Sequence, residues 1–166
     1  MTYDIYLILD NIRSAHNVGA ILRTAEGIGV KKVFLCGYTP YPKLIDDPRL
    51  PYLADKINAR IAKTALGAET TQSWEYRENI LELAAEIKQE GYLLTALEQN
   101  SLSISLNTFK PNSDIALILG NEVEGVNKDL LNLCDVIVEI GMKGSKESFN
   151  VAASAAMALY YLTNML

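Results

Sequence analysis

The first 37 residues alternate a strand pattern with a helical pattern, and this alternation limits the possible folds more than any other feature of the chain. Residues 3–9, YDIYLIL, are rich in side chains that favour strands. Apolar residues then recur at helical spacing through Val18, Ile21 and Leu22, and KKVFLCG follows as a second apolar run. This order predicts a β-α-β unit with parallel strands.

The same alternation continues along the rest of the chain. Helix-like ADKINARIAKTAL and RENILELAAEIKQE are followed by strand-like YLLTAL, IALILG and DVIVEIG, and a last helix is expected from about Val151. With a short strand near residues 70–76, six strands are predicted. We therefore predict an α/β fold with a single open, mainly parallel six-stranded sheet and helices on both faces. No internal repeat or linker interrupts residues 1–166, which predicts a single domain.

Ligands of such sheets bind beyond the carboxyl ends of the strands. Three loops of this kind, residues 10–17, 121–125 and 141–148, hold most of the unusual polar side chains. The chain lacks a Gly-x-Gly-x-x-Gly motif after the first strand and a Walker-type lysine loop, which disfavours a nucleotide bound in the Rossmann manner. His16 is the only histidine and has no candidate elbow serine, so a Ser-His-Asp triad and a zinc site are also disfavoured.

The first helix carries three residues of interest. Arg23 lies opposite the apolar stripe, on the face away from the sheet, where an arginine is by itself an ordinary surface residue. Asn17 can cap this helix, and Gly19 leaves its first turn bare for another backbone or a ligand. Arg23 stands less than two turns beyond Asn17, where its guanidinium can reach a phosphate.

The other two loops are less informative one at a time. LGNEVEGV places Asn121 and Glu122 in a tight turn after a buried strand, which is also a common surface feature. In SFNVAAS, either Ser148 or Asn150 is a candidate N-cap of the last helix. That helix is apolar nearly all round, so it is either central or covered by a second subunit.

Charge is distributed unevenly along the chain. The net charge of −5 argues at first sight against a nucleic-acid partner, because neutralising phosphates needs clustered Lys and Arg. However, residues 1–63 contain nine Lys and Arg against six Asp and Glu, whereas residues 64–166 contain six against fourteen. Either a polyanion meets the first third, or the asymmetry is incidental to a solvated surface. The expected docking residues are Arg13, Lys31, Lys32, Lys43, Arg49, Lys56, Arg60 and Lys63.

Location and redox state follow from simpler patterns. The N-terminus has an early acid and no basic segment, and no apolar run approaches the length that spans a bilayer. We therefore expect a cytoplasmic protein without a membrane partner. Cys36 and Cys134 belong to no metal-ligand pattern and are expected to be buried thiols.

Taken together, the three loops and their helices are far more specific. DNIRSAHNVGAILRTAEGIGV, ILGNEVEGV and IGMKGSKESFNVAASAAMAL resemble, in this order, the three motifs of the SpoU/TrmH family of RNA ribose 2′-O-methyltransferases in the SPOUT superfamily. The resemblance runs from Tyr3 to the end of the chain and leaves no room for an extra RNA-binding domain. It implies a C-terminal deep trefoil knot, S-adenosyl-L-methionine as cofactor, no metal, and a homodimer that completes each active site across its interface. The substrate would be tRNA or rRNA.

The resemblance also implies roles for individual residues. Because a guanidinium is a reluctant base, Arg23 is expected to bind the target phosphate and stabilise the alkoxide. Motif three has Phe149 where many relatives have leucine, which alters the shape of the cofactor slot. The implied catalytic residues are Arg23, Glu122, Ser148, Asn150 and Asn17. The implied cofactor-binding residues are Leu97, Gly120, Asn121, Ile140, Met142 and Phe149.

Two other classes of protein remain open at this point. One is a knotted RNA-binding protein that has lost turnover, and the other is a protein that binds an adenosine ligand unrelated to RNA. The presence of Arg23, Glu122, Ser148 and Asn150 together favours the enzyme, because a mere binder would not need the whole set. Base methylation is less expected, since motif one is of the ribose type.

Overall fold

The computed structural model describes residues 3–164, and seven strands within this range form one sheet. The strands are β1 (Ile5–Asp10), β2 (Lys32–Cys36), β3 (Trp74–Arg77), β4 (Leu93–Leu97), β5 (Ile104–Ser105), β6 (Ile115–Leu119) and β7 (Val136–Glu139). Their order across the sheet is β3-β2-β1-β6-β4-β7-β5, and every neighbouring pair is parallel. The predicted α/β fold with a single parallel sheet is confirmed.

The prediction of six strands is wrong, because it missed β5. This strand has only two residues, and it pairs with β7 through Ile104 and Val138. Both residues of β5 are exposed, so no buried run or alternation marks the strand in the sequence. The strand expected near residues 70–76 begins later, at Trp74, since residues 68–71 form a short helix.

Helices cover both faces of the sheet. Within the described range the α-helices are α1 (Ala15–Ile28), α2 (Pro51–Ala65), α3 (Ala68–Thr71), α4 (Ile80–Gln89), α5 (Lys128–Leu133) and α6 (Val151–Asn164). Side chains along β1 alternate between two separate core clusters, because successive residues of a strand point to opposite faces. Leu7 and Leu9 pack in the cluster that also contains residues of α1, α2 and α6, whereas Ile8 packs with residues of α4 and α5. The predicted two-sided arrangement is confirmed.

Helix α1 begins at a serine cap. The Ser14 hydroxyl accepts a hydrogen bond from the Asn17 backbone N–H at 3.3 Å, and Gly29, with φ of 85°, ends the helix. The prediction that Asn17 caps α1 is therefore wrong: Asn17 lies inside the first turn, where Ser14 already accepts the free N–H. As a result, the Asn17 side chain is available for other partners.

Gly19 brings α2 against α1. A Cβ atom at Gly19 would lie 2.2 Å from the carbonyl oxygen of Ile61 in α2, closer than any side chain tolerates. Thr64, also in α2, donates a hydrogen bond to the carbonyl of His16 at 2.8 Å. The expectation that another backbone approaches the bare turn is confirmed, and the two helices are held in a fixed relation.

Helix α6 is partly central and partly exposed. Val151, Ala155 and Leu159 are buried, whereas Met157 is 37% exposed and Tyr160 is 65% exposed. One face of this apolar helix therefore packs in the core, and another carries large apolar side chains in contact with solvent. No helix in residues 3–164 combines the length and hydrophobicity that crossing a bilayer requires.

The two thiols are poor nucleophiles in this fold. Cys36 is fully buried and Cys134 is half-buried. Burial raises the pKa of Cys36 to about 12 and the pKa of Cys134 to about 11, and nearby Asp10 and Asp135 add to these shifts. Both side chains are therefore protonated near neutral pH.

Candidate active site

A cavity of about 330 Å³ lies at the carboxyl edge of the sheet. Its walls include Leu97 at the end of β4, Leu119 at the end of β6 and Glu139 at the end of β7, together with the loops that follow these strands. The volume is at the lower end of the range for small-molecule sites. This is the position that the general rule for open α/β sheets predicts.

Most of the predicted cofactor residues line this cavity. Met142 is the exception: it is half-buried but is not among the residues of the cavity wall. Apolar side chains from three different segments line the cavity, which suits a flat aromatic group. The predicted residues in the wall are Leu97, Gly120, Asn121, Ile140 and Phe149.

Asn121 holds the turn that follows β6. Its Oδ1 accepts hydrogen bonds from the backbone N–H groups of Val123 at 2.8 Å and Glu124 at 3.0 Å. Its Nδ2 donates to the Asn11 carbonyl at 2.9 Å and to the Tyr38 hydroxyl. Because these bonds occupy the buried side chain, Asn121 shapes the cavity wall and offers a ligand mainly its backbone.

Glu98, which was not among the predicted site residues, also holds this turn. One carboxylate oxygen accepts a hydrogen bond from the Val126 N–H at 2.8 Å, and the other accepts one from the Gln99 N–H at 2.8 Å. Gly125 passes so close that a Cβ there would lie 2.3 Å from Glu98 Oε2. The available signal was an acid directly after a central strand of the sheet.

The cavity wall is acidic. Among the described residues that form it there are four glutamates and no lysine or arginine. Carboxylates stabilise a cation through Coulomb attraction, and this attraction is stronger in a partly enclosed site than in water. The cavity is therefore suited to a ligand with positive charge. The four residues are Glu98, Glu122, Glu139 and Glu147.

A chain of hydrogen bonds joins the three motif loops. Glu122 Oε2 accepts from the Arg13 backbone N–H at 2.9 Å, and its Oε1 accepts from Asn17 Nδ2 at 3.0 Å. Asn17 Oδ1 accepts from Asn150 Nδ2 at 3.2 Å. Asn150 Oδ1 in turn accepts from the Ala152 N–H at 2.9 Å, which caps α6. One continuous network thus fixes α1, the 121–125 turn and α6 relative to each other.

The hydrogen bonds set the ionisation of Glu122. Partial burial by itself raises the pKa of this carboxyl, but the hydrogen bonds from the Arg13 N–H and the Asn17 amide outweigh it and leave the pKa below its ordinary value. Glu122 is therefore a carboxylate at neutral pH. It acts in the network as an acceptor, which fixes the orientation of the Asn17 amide.

Ser148 and Arg23 lie in different places. Ser148 is exposed and lines the cavity next to Phe149. Arg23 is exposed on α1 and borders a separate depression, together with Thr24 and Lys63. Folding therefore brings Glu122, Asn17, Asn150 and Ser148 to one region of the protein surface, but it does not bring Arg23 to the cavity of the same chain. Across residues 3–164, no three His, Cys, Asp or Glu side chains are grouped to hold a metal ion.

Substitutions of Asn150 separate its two roles. Asn150→Ala should lower the free energy of unfolding by about 1 kcal/mol, because α6 loses its cap. Asn150→Asp keeps an acceptor for the cap but loses the amide donor to Asn17, so it should retain most of the stability. Urea denaturation checks the stability of both variants. An aspartate variant as unstable as the alanine variant would contradict the capping role of the Asn150 side-chain oxygen.

A parallel sheet with a ligand cavity at its carboxyl edge defines the class of α/β proteins that bind small molecules at strand ends. A family model places the chain more narrowly. The model described as the SpoU rRNA Methylase family matches residues 4–160, and the chain belongs to this family. The predicted family relationship is confirmed.

Curated relatives agree with this assignment. The chain is 33% identical over 153 residues to the 23S rRNA (guanosine-2'-O-)-methyltransferase RlmB of Neisseria meningitidis serogroup B, which covers 92% of this chain and 55% of the relative. It is 30% identical over 154 residues to the protein of the same name from Bordetella pertussis, covering 93% and 57%. The chain thus spans little more than half the length of these relatives.

Solved structures share the fold. The AdoMet-bound rRNA methyltransferase from Sinorhizobium meliloti superposes with a TM-score of 0.82 at 20% identity, covering 100% of this chain and 58% of that one. The TrmH/SpoU tRNA modifying enzyme from A. aeolicus gives a TM-score of 0.81 at 22% identity, covering 98% and 75%. At these identities the similarity establishes the fold.

Proposed function

We propose that this chain is an S-adenosyl-L-methionine-dependent methyltransferase that modifies a ribose 2′-hydroxyl in RNA. The observation that carries the proposal is the hydrogen-bond network of Glu122, Asn17 and Asn150, which joins the three family motifs beside the cavity. Ribosomal RNA is the favoured substrate, because relatives at 30 to 33% identity carry the name 23S rRNA methyltransferase. The methyltransferase domain would extend over residues 1–166, without a second RNA-binding domain in this stretch.

The cavity fits the proposed cofactor in shape and charge. Leu97, Ile140 and Phe149 offer an apolar wall for an adenine, and the ends of three strands offer backbone groups. The acidic lining complements a ligand whose sulfonium and ammonium groups are both positive. When bound there, S-adenosyl-L-methionine would supply a methyl group on an electrophilic sulfur.

The side chains of the chain itself would prepare the hydroxyl. A ribose hydroxyl must lose its proton as it attacks, so the site has to position it and stabilise the developing negative charge. Arg23 would bind the adjacent phosphate and stabilise the alkoxide through its guanidinium. Asn17, Asn150 and Ser148 would orient the ribose, with Glu122 fixing the direction of the Asn17 amide.

A homodimer would unite these groups. Arg23 borders a depression that is separate from the cavity of its own chain. A second copy related by a two-fold axis would instead bring its Arg23 to this cavity. The exposed apolar side chains of α6, Met157 and Tyr160, support a partner surface at that helix. We further propose that the chain after β6 forms the deep trefoil knot of the family, with residues 141–150 as its cofactor loop.

Transfer of a labelled methyl group tests the proposed activity. The purified protein is incubated with labelled S-adenosyl-L-methionine and total RNA from a strain that lacks the gene, and the labelled nucleoside is mapped by mass spectrometry. The expected product is one 2′-O-methylated nucleoside. If no RNA accepts the label although the protein binds the cofactor, the chain is an RNA-binding or adenosine-binding protein.

Mixing two inactive variants tests the shared active site. Arg23→Ala and Ser148→Ala should each be nearly inactive alone. After the two are mixed in equal amounts, unfolded and refolded, half of the dimers are mixed and hold one intact site, so activity should return to about a quarter of the wild-type value. Refolded single variants are the control. A mixture as inactive as its components would show that each copy uses its own Arg23.

A further inference from the structure

Ion pairing divides the basic residues of the first third into two groups. Four of the eight residues expected to meet RNA are held by nearby acids, at nitrogen–oxygen distances of 2.5 to 2.6 Å. The other four, Arg13, Lys56, Arg60 and Lys63, have no carboxylate within 4.0 Å anywhere in residues 3–164, and the same holds for Arg23. Their charge is therefore available to an anion. The paired residues are Lys31 with Asp4, Lys32 with Glu75, Lys43 with Asp55, and Arg49 with Asp47.

The three cations of α2 share one face of the helix. Lys56, Arg60 and Lys63 are separated by four and three residues, which is the spacing of neighbours on a helical surface. All three are exposed, and the opposite face buries Ala54 and Ile61. Since these cations point away from the core, they form a line of positive charge along the outside of α2.

An aromatic ring extends this line. Tyr52 lies one turn before Lys56 on the same face, and 71% of its surface is exposed. An exposed tyrosine in line with cations suits a nucleic-acid strand whose bases are unpaired, because bases stack on the ring while the cations neutralise phosphates. A duplex keeps its bases stacked inside and cannot use the ring. We call Tyr52, Lys56, Arg60 and Lys63 the α2 track.

The α2 track leads to Arg23. Lys63 and Arg23 border the same depression, with Thr24 and Thr64 between the two helices. Gly19 and the hydrogen bond from Thr64 to His16 fix α2 against α1, so the spacing of the two cations is built into the fold. From Tyr52 to Lys63 the track is about 16 Å long, at the rise of an α-helix.

We infer that the α2 track binds single-stranded RNA next to the modified nucleotide, with Tyr52 stacking on an unpaired base and the three cations contacting successive phosphates. The inference rests on the proposed function, because it uses Arg23 as the contact for the target phosphate. It restricts the substrate to RNA whose flanking nucleotides are unpaired, such as a loop or a bulge. It also means that α2 contributes to RNA binding and takes no direct part in methyl transfer.

Binding to defined oligonucleotides tests the track. The probes are a fluorescent single-stranded RNA of mixed sequence and the same strand annealed to its complement, measured by anisotropy over a range of NaCl concentrations. The double variant Lys56→Ala with Arg60→Ala should reduce the slope of log affinity against log salt by about 1.4, at about 0.7 for each lost phosphate contact. The matched control, Lys110→Ala with Lys128→Ala, removes two exposed cations elsewhere and should leave the slope unchanged.

The stacking contact of Tyr52 is tested separately, by comparing affinities for the single strand and the duplex. Tyr52→Ala should weaken binding of the single strand about tenfold without changing the salt slope, and it should leave the duplex unaffected. Tyr52→Phe keeps the ring and should restore binding. Equal effects of Tyr52→Ala on both probes would overturn the stacking role.

Methyl-transfer kinetics distinguish results that contradict RNA binding by the α2 track from results that contradict the proposed enzyme activity. Track variants should raise KM for RNA and leave kcat unchanged. Equal salt slopes for the track and control variants, with normal transfer, would overturn the track alone. Impaired dimer assembly of the track variants in sedimentation, without loss of RNA affinity, would identify the face as a subunit contact. Absence of transfer by the wild-type protein would instead overturn the proposed function.

Discussion

Arg23→Ala is expected to lower methyl transfer by about a hundredfold or more, while the affinity for S-adenosyl-L-methionine stays unchanged. The transfer rate should fall because, in the proposed mechanism, the alkoxide loses its stabilising cation. Cofactor binding should persist because Arg23 does not line the cavity of its own subunit and takes no part in the network around Glu122. Single-turnover kinetics give the rate, and isothermal titration with the cofactor gives the affinity.

Two further variants define the role of Arg23. Arg23→Lys keeps the charge but loses the planar fork that binds a phosphate through two hydrogen bonds, so it should recover only part of the rate. Arg60→Ala removes another exposed arginine and should affect KM for RNA, with kcat retained. Near-normal turnover by Arg23→Ala would rule out the proposed chemistry, and a parallel loss of cofactor affinity would show that Arg23 acts on the cavity.

Gly120→Ala is expected to weaken cofactor binding by roughly ten- to a hundredfold, since overpacking a tight site costs about 1–3 kcal/mol. A Cβ at this position would lie 2.4 Å from Gly125 C and 2.4 Å from Val126 N. Both are backbone atoms, so the turn that forms the cavity wall has to move. The movement also strains the hydrogen bond between Val126 and Glu98. Cofactor titration measures the loss.

Gly27 provides the matched control for this substitution. It lies near the end of α1 and outside the cavity wall, and a Cβ there would meet no atom within 4 Å. Gly27→Ala should therefore bind the cofactor normally. Circular dichroism of both variants should show a folded sheet. Equal cofactor affinities for the two variants would show that the 121–125 turn does not shape the binding site.

The sheet was predictable because its central strands are mostly apolar and largely buried. Residues 115–119 and 5–10 are continuous or nearly continuous apolar runs, and such runs occur where helices cover both faces of a parallel sheet. Ile104 and Ser105 have neither length nor burial, so their pairing depends on the neighbouring β7 and leaves no local pattern. The order of the strands likewise depends on contacts between distant segments.

The candidate site was predictable only in part. The motif resemblance named Asn17, Glu122 and Asn150, and the structure joins them through hydrogen bonds across more than 100 residues of sequence. Spacing along the chain could not show that Ser14 caps α1, because Ser14 and Asn17 are both good caps. Glu98 was missed because no motif contains it. Its importance depends on the backbone of Val126, which folding brings close.

The sequence predicts where positive charge is concentrated, but it does not predict which Lys and Arg side chains are paired with an acid. The sequence located the excess of Lys and Arg in residues 1–63, yet it could not show which cations are paired. Lys43 and Lys56 look equivalent in the sequence. In the folded protein Lys43 lies 2.6 Å from Asp55, whereas Lys56 has no such partner in the described chain. The distinction comes from tertiary structure. Of the five Lys and Arg side chains in residues 3–63 that have no carboxylate partner among the described residues, three lie on one face of α2.

The protonated state of Cys36 and Cys134 has a practical consequence for probing that face. Maleimides and related reagents react with thiolates, and both native cysteines are almost entirely protonated near neutral pH. A cysteine introduced in place of exposed Lys63 would therefore be the preferred point of labelling, with both native thiols left in the protein. A photo-crosslinker attached there would report directly which nucleotides pass along the helix.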